Sequence, residues 1–293
     1  MDEIKLISDY LPEIKHDLET QGDKPELCIN SIPSLNNALW GLKRQKLYVI
    51  GGRTSQGKSA LVLQIGYDIA KQGKCVLYLS LEMTTKNVIK RLFCNEMEID
   101  NEDIERGKFE KHKDKWAEFN NRTQSLRLSV TDTVGSTWRD IDKLLDNLTT
   151  KPDMIIVDYI QNIKRTNMDF KLEMDEYIRK FQEIAIKRNL VAVLVSQINR
   201  DNQNTKDKRP YLHNLKGTGN LEQAPDVILL LHYPCVYSDE CDPNEYHVQI
   251  EKNRDGRVGF VKIHFEGKYY KFKDWDEKPK YSTLEDKIKK GNY

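Results

Sequence analysis

Short apolar runs alternate with helical patterns through most of the chain. Each run is four to seven residues long, and turn-rich or helical sequence follows it. The runs lie at 47–50, 75–81, 126–130, 154–157, 190–195 and 227–231. Nearly continuous apolar runs of this length are typical of parallel strands buried on both faces, and the segments between them supply the covering helices. The pattern predicts an α/β fold with a mainly parallel central sheet covered on both sides.

Both ends of the chain depart from this alternation. Residues 246–272 read as consecutive strands with a hairpin turn at Asp255-Gly256, which predicts antiparallel strands at the C-terminal edge of the sheet. Residues 4–20 instead predict an amphipathic helix, with a kink or a restart at Pro12. Its apolar stripe, at alternating three- and four-residue spacing, consists of Ile4, Ile7, Leu11, Ile14 and Leu18.

Composition bounds the class of protein. The chain has 293 residues, 38% of them hydrophobic, and a formal net charge of +1. This supports a single α/β domain with a small appendage, and any nucleic-acid site must be local because no overall basic field exists. With no signal peptide and no long apolar run, we expect a cytoplasmic protein without a membrane partner. Five cysteines form no C-x-x-C pair and are interpreted as reduced, mostly buried thiols: Cys28, Cys75, Cys94, Cys235 and Cys241.

A phosphate-binding pattern, G-x-x-x-x-G-K-[ST], follows the first apolar run. It consists of Gly52, Arg53, Thr54, Ser55, Gln56, Gly57, Lys58 and Ser59. The glycines let backbone N–H groups approach a phosphate at the positive end of the following helix. Lys58 neutralises the β- and γ-phosphate oxygens, and the Ser59 hydroxyl is a ligand for Mg²⁺. The alternative interpretation is a glycine turn that matches the pattern by chance.

Other chemical groups follow the remaining apolar runs, where ligands bind in parallel sheets. Asp158 comes directly after the run 154–157, which is the usual place of the carboxylate that holds Mg²⁺. Glu82 is a candidate to orient the attacking water, with a helix N-terminal charge as its alternative role. Gln197 is positioned to sense the γ-phosphate.

Several separated stretches together resemble one family. They are GGRTSQGKS, SLEM at 80–83, IIVDYIQNI at 155–163, VSQINRD at 195–201, LKGTGNLEQAPDVILLLH at 215–232 and EKNRDGRVGFVKIHFEGKYYKF at 251–272. The chain resembles the C-terminal RecA-like motor domain of DnaB-type replicative helicases over about residues 28–273. The resemblance implies a P-loop NTPase that uses ATP and Mg²⁺, with Glu82 as catalytic base and Gln197 as γ-phosphate sensor. It also implies that Lys252 and Arg254 reach the neighbouring subunit's nucleotide.

The same resemblance implies a domain organisation and partners. Residues 1–20 would be the linker helix that docks on a neighbouring subunit, 21–27 a link, and 274–293 a charged peripheral tail. The family assembles as a homo-hexamer on single-stranded DNA, and its DNA loops correspond to Lys164, Arg165 and Lys171 and to Lys216, Gly217 and Gly219. No segment corresponds to the family's N-terminal collar, so the resemblance leaves open whether a helicase loader or a primase is a partner. That departure leaves open a phage, plasmid or mobile-element source.

Three functions remain at this point. The first is an ATP-dependent replicative DNA helicase, a hexameric ring that moves 5′ to 3′ on the threaded strand by family resemblance. The second is a RecA-like recombination or strand-annealing ATPase that forms filaments. The third is a regulatory RecA-fold ATPase without a DNA role. SLEM, VSQINR and the N-terminal helix favour the first, and the preference for ATP over other nucleotides rests on the resemblance alone.

Overall fold

The structure is a computed structural model that describes residues 6–20, 22, 25–166, 169–198, 209–215, 219–236 and 241–275. Within these ranges the helices are α1 (Ile7–Thr20), α2 (Pro33–Leu39), α3 (Lys58–Lys71), α4 (Thr85–Met97), α5 (Asn101–Glu105), α6 (Lys113–Thr123), α7 (Trp138–Asp146), α8 (Phe170–Lys187) and α9 (Asn220–Gln223). The strands are β1 (Leu47–Gly52), β2 (Val76–Ser80), β3 (Leu128–Asp132), β4 (Met154–Asp158), β5 (Val191–Gln197), β6 (Val227–His232), β7 (Glu245–Asn253), β8 (Gly259–Glu266) and β9 (Lys271–Asp274).

All nine of these strands form one sheet in the order β3-β2-β4-β5-β1-β6-β7-β8-β9. Strands β1 to β6, which correspond to the six apolar runs, pair in parallel. Strands β7, β8 and β9 continue the sheet in antiparallel fashion, and Asp255-Gly256 lies in the connection between β7 and β8. The predicted mixed α/β architecture, with antiparallel strands at the C-terminal edge, is therefore confirmed.

Side chains of the central strands point alternately to two separate apolar layers. On β1, Tyr48 and Ile50 join the layer that includes α3, whereas Leu47 and Val49 join the layer that includes α7 and α8. This alternation is the period-two geometry of a strand, and it explains why the strand must be apolar at every position. The parallel strands therefore end at one shared edge, with helices fixed on both faces behind it.

The N-terminal helix α1 differs from the rest because its apolar side chains lie in solvent. The helix runs continuously from Ile7 to Thr20 through Pro12, so the predicted restart is wrong, and Ile4 lies outside the described residues. Exposed fractions along the stripe are 80% for Ile7, 55% for Leu11, 48% for Ile14 and 66% for Leu18. An amphipathic helix with an uncovered apolar face lacks the tertiary packing that normally stabilises it.

The cysteines correct one part of the sequence interpretation. Cys75 and Cys94 are buried free thiols, as predicted, and Cys28 is partly buried. Cys235 and Cys241, however, form a disulfide, with Cα atoms 5.4 Å apart. The pairing was missed because six positions separate the two residues, a spacing that matches no common motif.

No helix in the described part of the chain combines the length and apolar character needed to cross a lipid bilayer.

Candidate nucleotide-binding site

The phosphate-binding pattern forms the loop between β1 and α3. Gly57 is the residue before the first turn of α3 and has a φ of 79°, a conformation that side chains rarely adopt. A Cβ added at Gly57 would also lie 2.9 Å from the Phe272 ring. The Lys58 ammonium donates a hydrogen bond to the Arg53 carbonyl at 2.7 Å, and the Gln56 side chain accepts one from the Arg53 N–H at 3.0 Å. These hydrogen bonds within the loop fix its shape, and its concave side faces solvent.

A cavity of about 520 Å³ lies over this loop at the carboxyl ends of the parallel strands. It brings together most of the predicted cofactor and catalytic residues, although they are far apart in sequence. Those that line it are Thr54, Ser55, Gly57, Lys58, Ser59, Glu82, Asp158 and Gln197. The cavity volume lies within the range of small-molecule sites in proteins. Gly52, Arg53 and Gln56 shape the loop beneath the cavity and do not line it.

Burial alters the charges of the two central groups. Lys58 is 9% exposed, and desolvation lowers the pKa of its ammonium to about 8, against the opposing effect of Asp158 and Glu82. Asp158 is 1% exposed, and desolvation raises the pKa of its carboxyl, while hydrogen bonds from Tyr78 and Ser59 and the charge of Lys58 oppose this. Both shifts disfavour the charged forms. A bound anion would favour the charged form of Lys58, and a bound cation would favour the charged form of Asp158.

Asp158 has a free ligand position. The Tyr78 hydroxyl donates to its Oδ2 at 2.5 Å, whereas Oδ1 is buried and has no hydrogen-bond partner in the described residues. Buried carboxylate oxygens are normally paired, so this unpaired oxygen is suited to bind a cation. The neighbouring Ser59 hydroxyl adds a second hard oxygen. These two residues fit Mg²⁺, which is commonly held by one or two protein oxygens together with water and substrate phosphates.

Glu82 and Gln197 lie at the carboxyl ends of two other parallel strands, β2 and β5. In the sheet Ser80 pairs with Asp158, so Glu82 follows β2 directly beside the end of β4, and its side chain is exposed toward the cavity. Gln197 pairs with Gly52 at the end of β5, and its amide donates to the Thr54 hydroxyl at 2.5 Å. Because the strand order is β2-β4-β5-β1, both side chains approach the phosphate loop from the same side of β1, Gln197 from the adjacent strand and Glu82 from two strands further along the sheet.

Sequence reasoning missed the far wall of the cavity. It contains Arg91 from α4, Tyr159 after β4, and Phe265 and Tyr270 from the antiparallel edge. The Arg91 guanidinium lies 5.1 Å from the centre of the Tyr270 ring. No spacing rule connects a residue of α4 with one almost two hundred positions later, although the aromatic residues of FEGKYYKF could have signalled a flat apolar wall.

Arg254 and Lys252 lie at the amino ends of the parallel strands, opposite the carboxyl ends that carry the phosphate loop. Asn253 pairs with Val227, the first residue of β6, whereas the phosphate loop follows the last residue of β1. The length of β1 separates the two edges by about 17 Å. The Arg254 guanidinium contacts Asp226 Oδ1 at 3.2 Å, and the Lys252 ammonium donates to the carbonyl of Gln223 at 2.5 Å. Neither cation is brought to the chain's own cavity.

The predicted nucleic-acid residues are placed only in part. Lys164 and Arg165 are exposed just after β4, and Lys171 is exposed in the first turn of α8. The Arg165 guanidinium lies 5.4 Å from the centre of the Phe170 ring, which holds the two ends of this connection together. Gly219 precedes α9 in a turn, and Lys216 and Gly217 lie outside the described residues.

The fold and the loop together define a RecA-like P-loop NTPase domain. The chain belongs to the family of DnaB-like helicase C-terminal domains, whose family model matches residues 30–274. It is 28% identical over 258 residues to the replicative DNA helicase DnaC of Bacillus subtilis, and 27% identical over 288 residues to a probable replicative DNA helicase of Trieres chinensis. These alignments cover 83% and 93% of this chain, but only 56% and 62% of the relatives. The chain thus spans little more than half the length of these relatives.

Solved structures agree on the fold. One solved ATPase domain superposes with a TM-score of 0.82 at 24% identity, and the match covers 94% of this chain and all of that domain. A DnaB-like replicative helicase, whose structure was described with its interactions with primase, also gives a TM-score of 0.82 at 24% identity. That match covers 92% of this chain and 69% of the other.

Proposed function

We propose that this protein is an ATP-dependent replicative DNA helicase. It acts as a hexameric ring that moves 5′ to 3′ on single-stranded DNA and couples ATP hydrolysis to unwinding. The observation that carries the proposal is the cavity over the phosphate loop, where Lys58, Asp158, Glu82 and Gln197 converge in a chain of the DnaB-like family. A nucleotide site alone fits many functions, and the family membership selects this one.

The chain's own residues divide the work of hydrolysis. Lys58 and the N–H groups at the start of α3 hold the β- and γ-phosphates, and Gln197 hydrogen-bonds the γ-phosphate. Glu82 orients the attacking water and accepts its proton, a role that its solvent-accessible position beside the loop supports. Ser59 and Asp158 would hold Mg²⁺, which neutralises charge that develops on the phosphate oxygens.

A ring gives a use to two features that a single chain leaves without one. The exposed stripe of α1 would be buried against a neighbouring subunit, which supports its role as the linker helix. Arg254 and Lys252 would approach the neighbour's γ-phosphate from the edge opposite their own cavity. An arginine supplied in this way stabilises the charge of phosphoryl transfer.

DNA would pass through the centre of the ring and contact two loops from each subunit. Lys164, Arg165 and Lys171 form the first, and Lys216, Gly217 and Gly219 form the second. Exposed cations and glycine N–H groups are the groups that bind the DNA backbone without reading its sequence. A helicase loader or a primase is a further partner of the proposed function, to be tested by co-purification with the host replication proteins.

Electron microscopy with a non-hydrolysable ATP analogue and Mg²⁺, with and without single-stranded DNA, tests the assembly. Closed six-fold rings support the helicase, whereas open filaments favour a recombination-type ATPase. Unwinding of forked duplexes with a 5′ or a 3′ single-stranded tail then tests direction. Nucleotide-dependent rings that bind no DNA would contradict the helicase proposal and favour a regulatory ATPase.

A further inference from the structure

Two cysteines in the connection that follows β6 are not used by the proposed chemistry. Cys235 and Cys241 flank the connection from β6 to β7 and form a disulfide across it. Both are partly accessible, whereas Cys75 and Cys94 are buried. A Cα separation of 5.4 Å is within the range that a disulfide requires without movement of the backbone.

The residues on either side of the cysteine pair contact each other through an aromatic stack. Tyr233 lies two residues before Cys235, and Tyr246 lies five residues after Cys241. Their rings are stacked, with centroids 4.5 Å apart and planes at 11°. The connection thus enters and leaves the sheet at the same carboxyl edge that carries the phosphate loop, because β6 ends at His232.

The stack continues without a gap into the nucleotide cavity. Tyr246 contacts Phe265 edge-on at 5.1 Å, and Phe265 stacks on Phe272 at 4.2 Å. Phe265 lines the cavity, and a Cβ built at Gly57 would lie 3.3 Å from Phe265 and 2.9 Å from Phe272. Packed aromatic rings transmit small displacements because protein interiors are close to crystalline density.

A main-chain hydrogen bond makes the same connection independently. Phe265 N–H donates to the Asn244 carbonyl at 2.9 Å, and Asn244 lies three residues after Cys241. Strand β8, which carries Phe265, is therefore linked to the segment after Cys241 twice, through the Tyr246 ring and through the Asn244 backbone.

We propose that Cys235 and Cys241 are a reversible dithiol–disulfide site that regulates nucleotide binding through Tyr233, Tyr246 and Phe265. The oxidant is a low-molecular-weight disulfide. One thiolate attacks it to give a mixed disulfide and release one thiol, and the second thiolate then displaces the other thiol. The protein loses two protons and two electrons, and the reagent gains them as two thiols. In a reducing compartment such a pair acts as a switch and not as a permanent staple.

The disulfide form holds Tyr233 against Tyr246, and through it fixes Phe265 and Phe272 beside Gly57. Reduction frees the connection and lets the aromatic wall move away from the loop. We therefore expect the oxidised protein to bind nucleotide more tightly than the reduced protein, by about fivefold, the lower end of ordinary coupling between sites. The coupling rests on the proposed nucleotide site, whereas the disulfide itself does not.

The test uses the full chain equilibrated in oxidised or reduced glutathione. Peptide mass spectrometry locates the bond, and a fluorescent ATP analogue with Mg²⁺ measures the dissociation constant in each state. The expected result is a bond between Cys235 and Cys241 and about fivefold tighter binding when oxidised. The double variant Cys235→Ser with Cys241→Ser should bind as the reduced wild type does in both buffers, and Cys28→Ser should keep the full response.

A second variant separates coupling from disulfide formation. In Tyr233→Leu the bond should still form, but the two redox states should bind nucleotide equally, because the stack is interrupted. Glutathione adducts on single cysteines in place of the internal bond would overturn the site. Equal dissociation constants for oxidised and reduced wild type, with the bond formed, would overturn the regulation. Absence of nucleotide binding in both redox states would instead overturn the proposed function, and with it the coupling.

Discussion

The two edges of the parallel sheet carry opposite kinds of electrostatic arrangement. At the carboxyl edge, Lys58 and Asp158 are buried with incomplete charge compensation around a cavity of about 520 Å³. At the amino edge, Arg254 contacts Asp226 at 3.2 Å and Lys46 contacts Asp255 at 3.0 Å. The first edge carries buried charged groups around an open cavity, whereas the second pairs these arginine, lysine and aspartate charges with each other within the chain.

The difference indicates which parts of catalysis one chain supplies alone. The residues proposed to bind phosphate, to hold Mg²⁺ and to act as the base are all positioned by parallel strand ends of one chain. Arg254 is half-exposed and held by a carboxylate that also accepts a hydrogen bond from the Leu47 N–H, so Asp226 keeps a partner if the arginine leaves. Asp226 is buried and also has the Lys46 ammonium 3.7 Å from its Oδ1, so its charge stays compensated when the half-exposed guanidinium turns to a neighbour's phosphate.

Loss of Lys58 should produce the largest effect. Lys58→Ala removes the ammonium of the phosphate loop, so ATPase activity should fall about a thousandfold or more, with nucleotide binding also weakened. The fold should persist, because truncation also removes the cost of burying an ammonium. Steady-state ATPase assays and circular dichroism check both parts. Lys71→Ala, at the other end of the same helix, is the matched control, and equal activity of the two variants would contradict the site.

Arg254→Ala, at the amino edge, should lower hydrolysis without disturbing nucleotide binding. If Arg254 acts on the neighbour's nucleotide, kcat should fall by about a thousandfold while the dissociation constant for ATP stays unchanged. Arg257→Ala makes the same change in charge three residues further along the hairpin and should remain active. Weakened nucleotide binding in the Arg254 variant alone would show that the residue serves its own cavity.

Mixing the two defective proteins tests whether the amino edge of one subunit acts at the carboxyl edge of its neighbour. Lys58→Ala and Arg254→Ala are each inactive, but a mixed ring contains some interfaces that join an intact loop to an intact arginine. ATPase activity should therefore reappear on mixing under conditions of subunit exchange. If mixed rings form, as seen by native mass spectrometry, and activity stays at background, the action of Arg254 on a neighbour is wrong.

Glu82→Gln should separate binding from hydrolysis within the carboxyl edge. An amide keeps the shape of the side chain but cannot accept a proton from water, so kcat should fall by about a hundredfold while ATP still binds. Single-turnover hydrolysis and equilibrium binding measure the two properties. Glu102→Gln, on the exposed face of α5, is the control, and a variant of Glu82 that loses nucleotide binding would point to a structural role.

Much of the carboxyl edge could be predicted from sequence because its information is local. Each apolar run became a parallel strand, and the group after the run therefore arrived at the shared edge: Lys58 after β1, Asp158 at the end of β4 and Gln197 at the end of β5. The period-two burial of strands and the position of ligands beyond their carboxyl ends suffice for that inference.

The remainder depends on contacts between distant segments. Arg91 and Tyr270 meet only because the residues just before β9 pack against α4, and Cys235 and Cys241 meet in the connection from β6 to β7. The pairing of Arg254 with Asp226 likewise needs the register of β6 on β7. Proline alone was also a poor guide, because α1 continues through Pro12 as one helix.

The buried state of Lys58 predicts a dependence of nucleotide affinity on pH. Its pKa is about 8 in the nucleotide-free protein, and a bound triphosphate favours the protonated form. Below pH 8 the ammonium is already present, whereas above it each binding event must take up a proton. Affinity should therefore fall by up to about tenfold per pH unit above 8. Calorimetry in two buffers of different ionisation enthalpy should detect the proton uptake, and Lys58→Arg should abolish it, because arginine remains charged. Equal affinity at pH 7 and pH 9.5 would contradict the assignment.

The smallest expected effect concerns the DNA loop that follows β4 at the carboxyl edge. Lys164 and Lys171 are exposed there, and Lys151 is exposed at the amino edge just before the same strand, which makes it a control of equal charge. Each lysine that contacts a phosphate releases counterion, so its loss should reduce the slope of log K against log salt for single-stranded DNA by about 0.7. The double variant Lys164→Ala with Lys171→Ala should therefore lower the slope by about 1.4 and weaken binding several-fold at low salt, while Lys151→Ala should leave both unchanged.

Fluorescence anisotropy over a salt series measures these values with a labelled oligonucleotide. Because binding to DNA is distinct from hydrolysis, ATPase activity without DNA should be the same in all three proteins. If Lys151→Ala reduces the slope as much as the double variant does, DNA contacts both edges of the sheet, and the division of work between them is wrong.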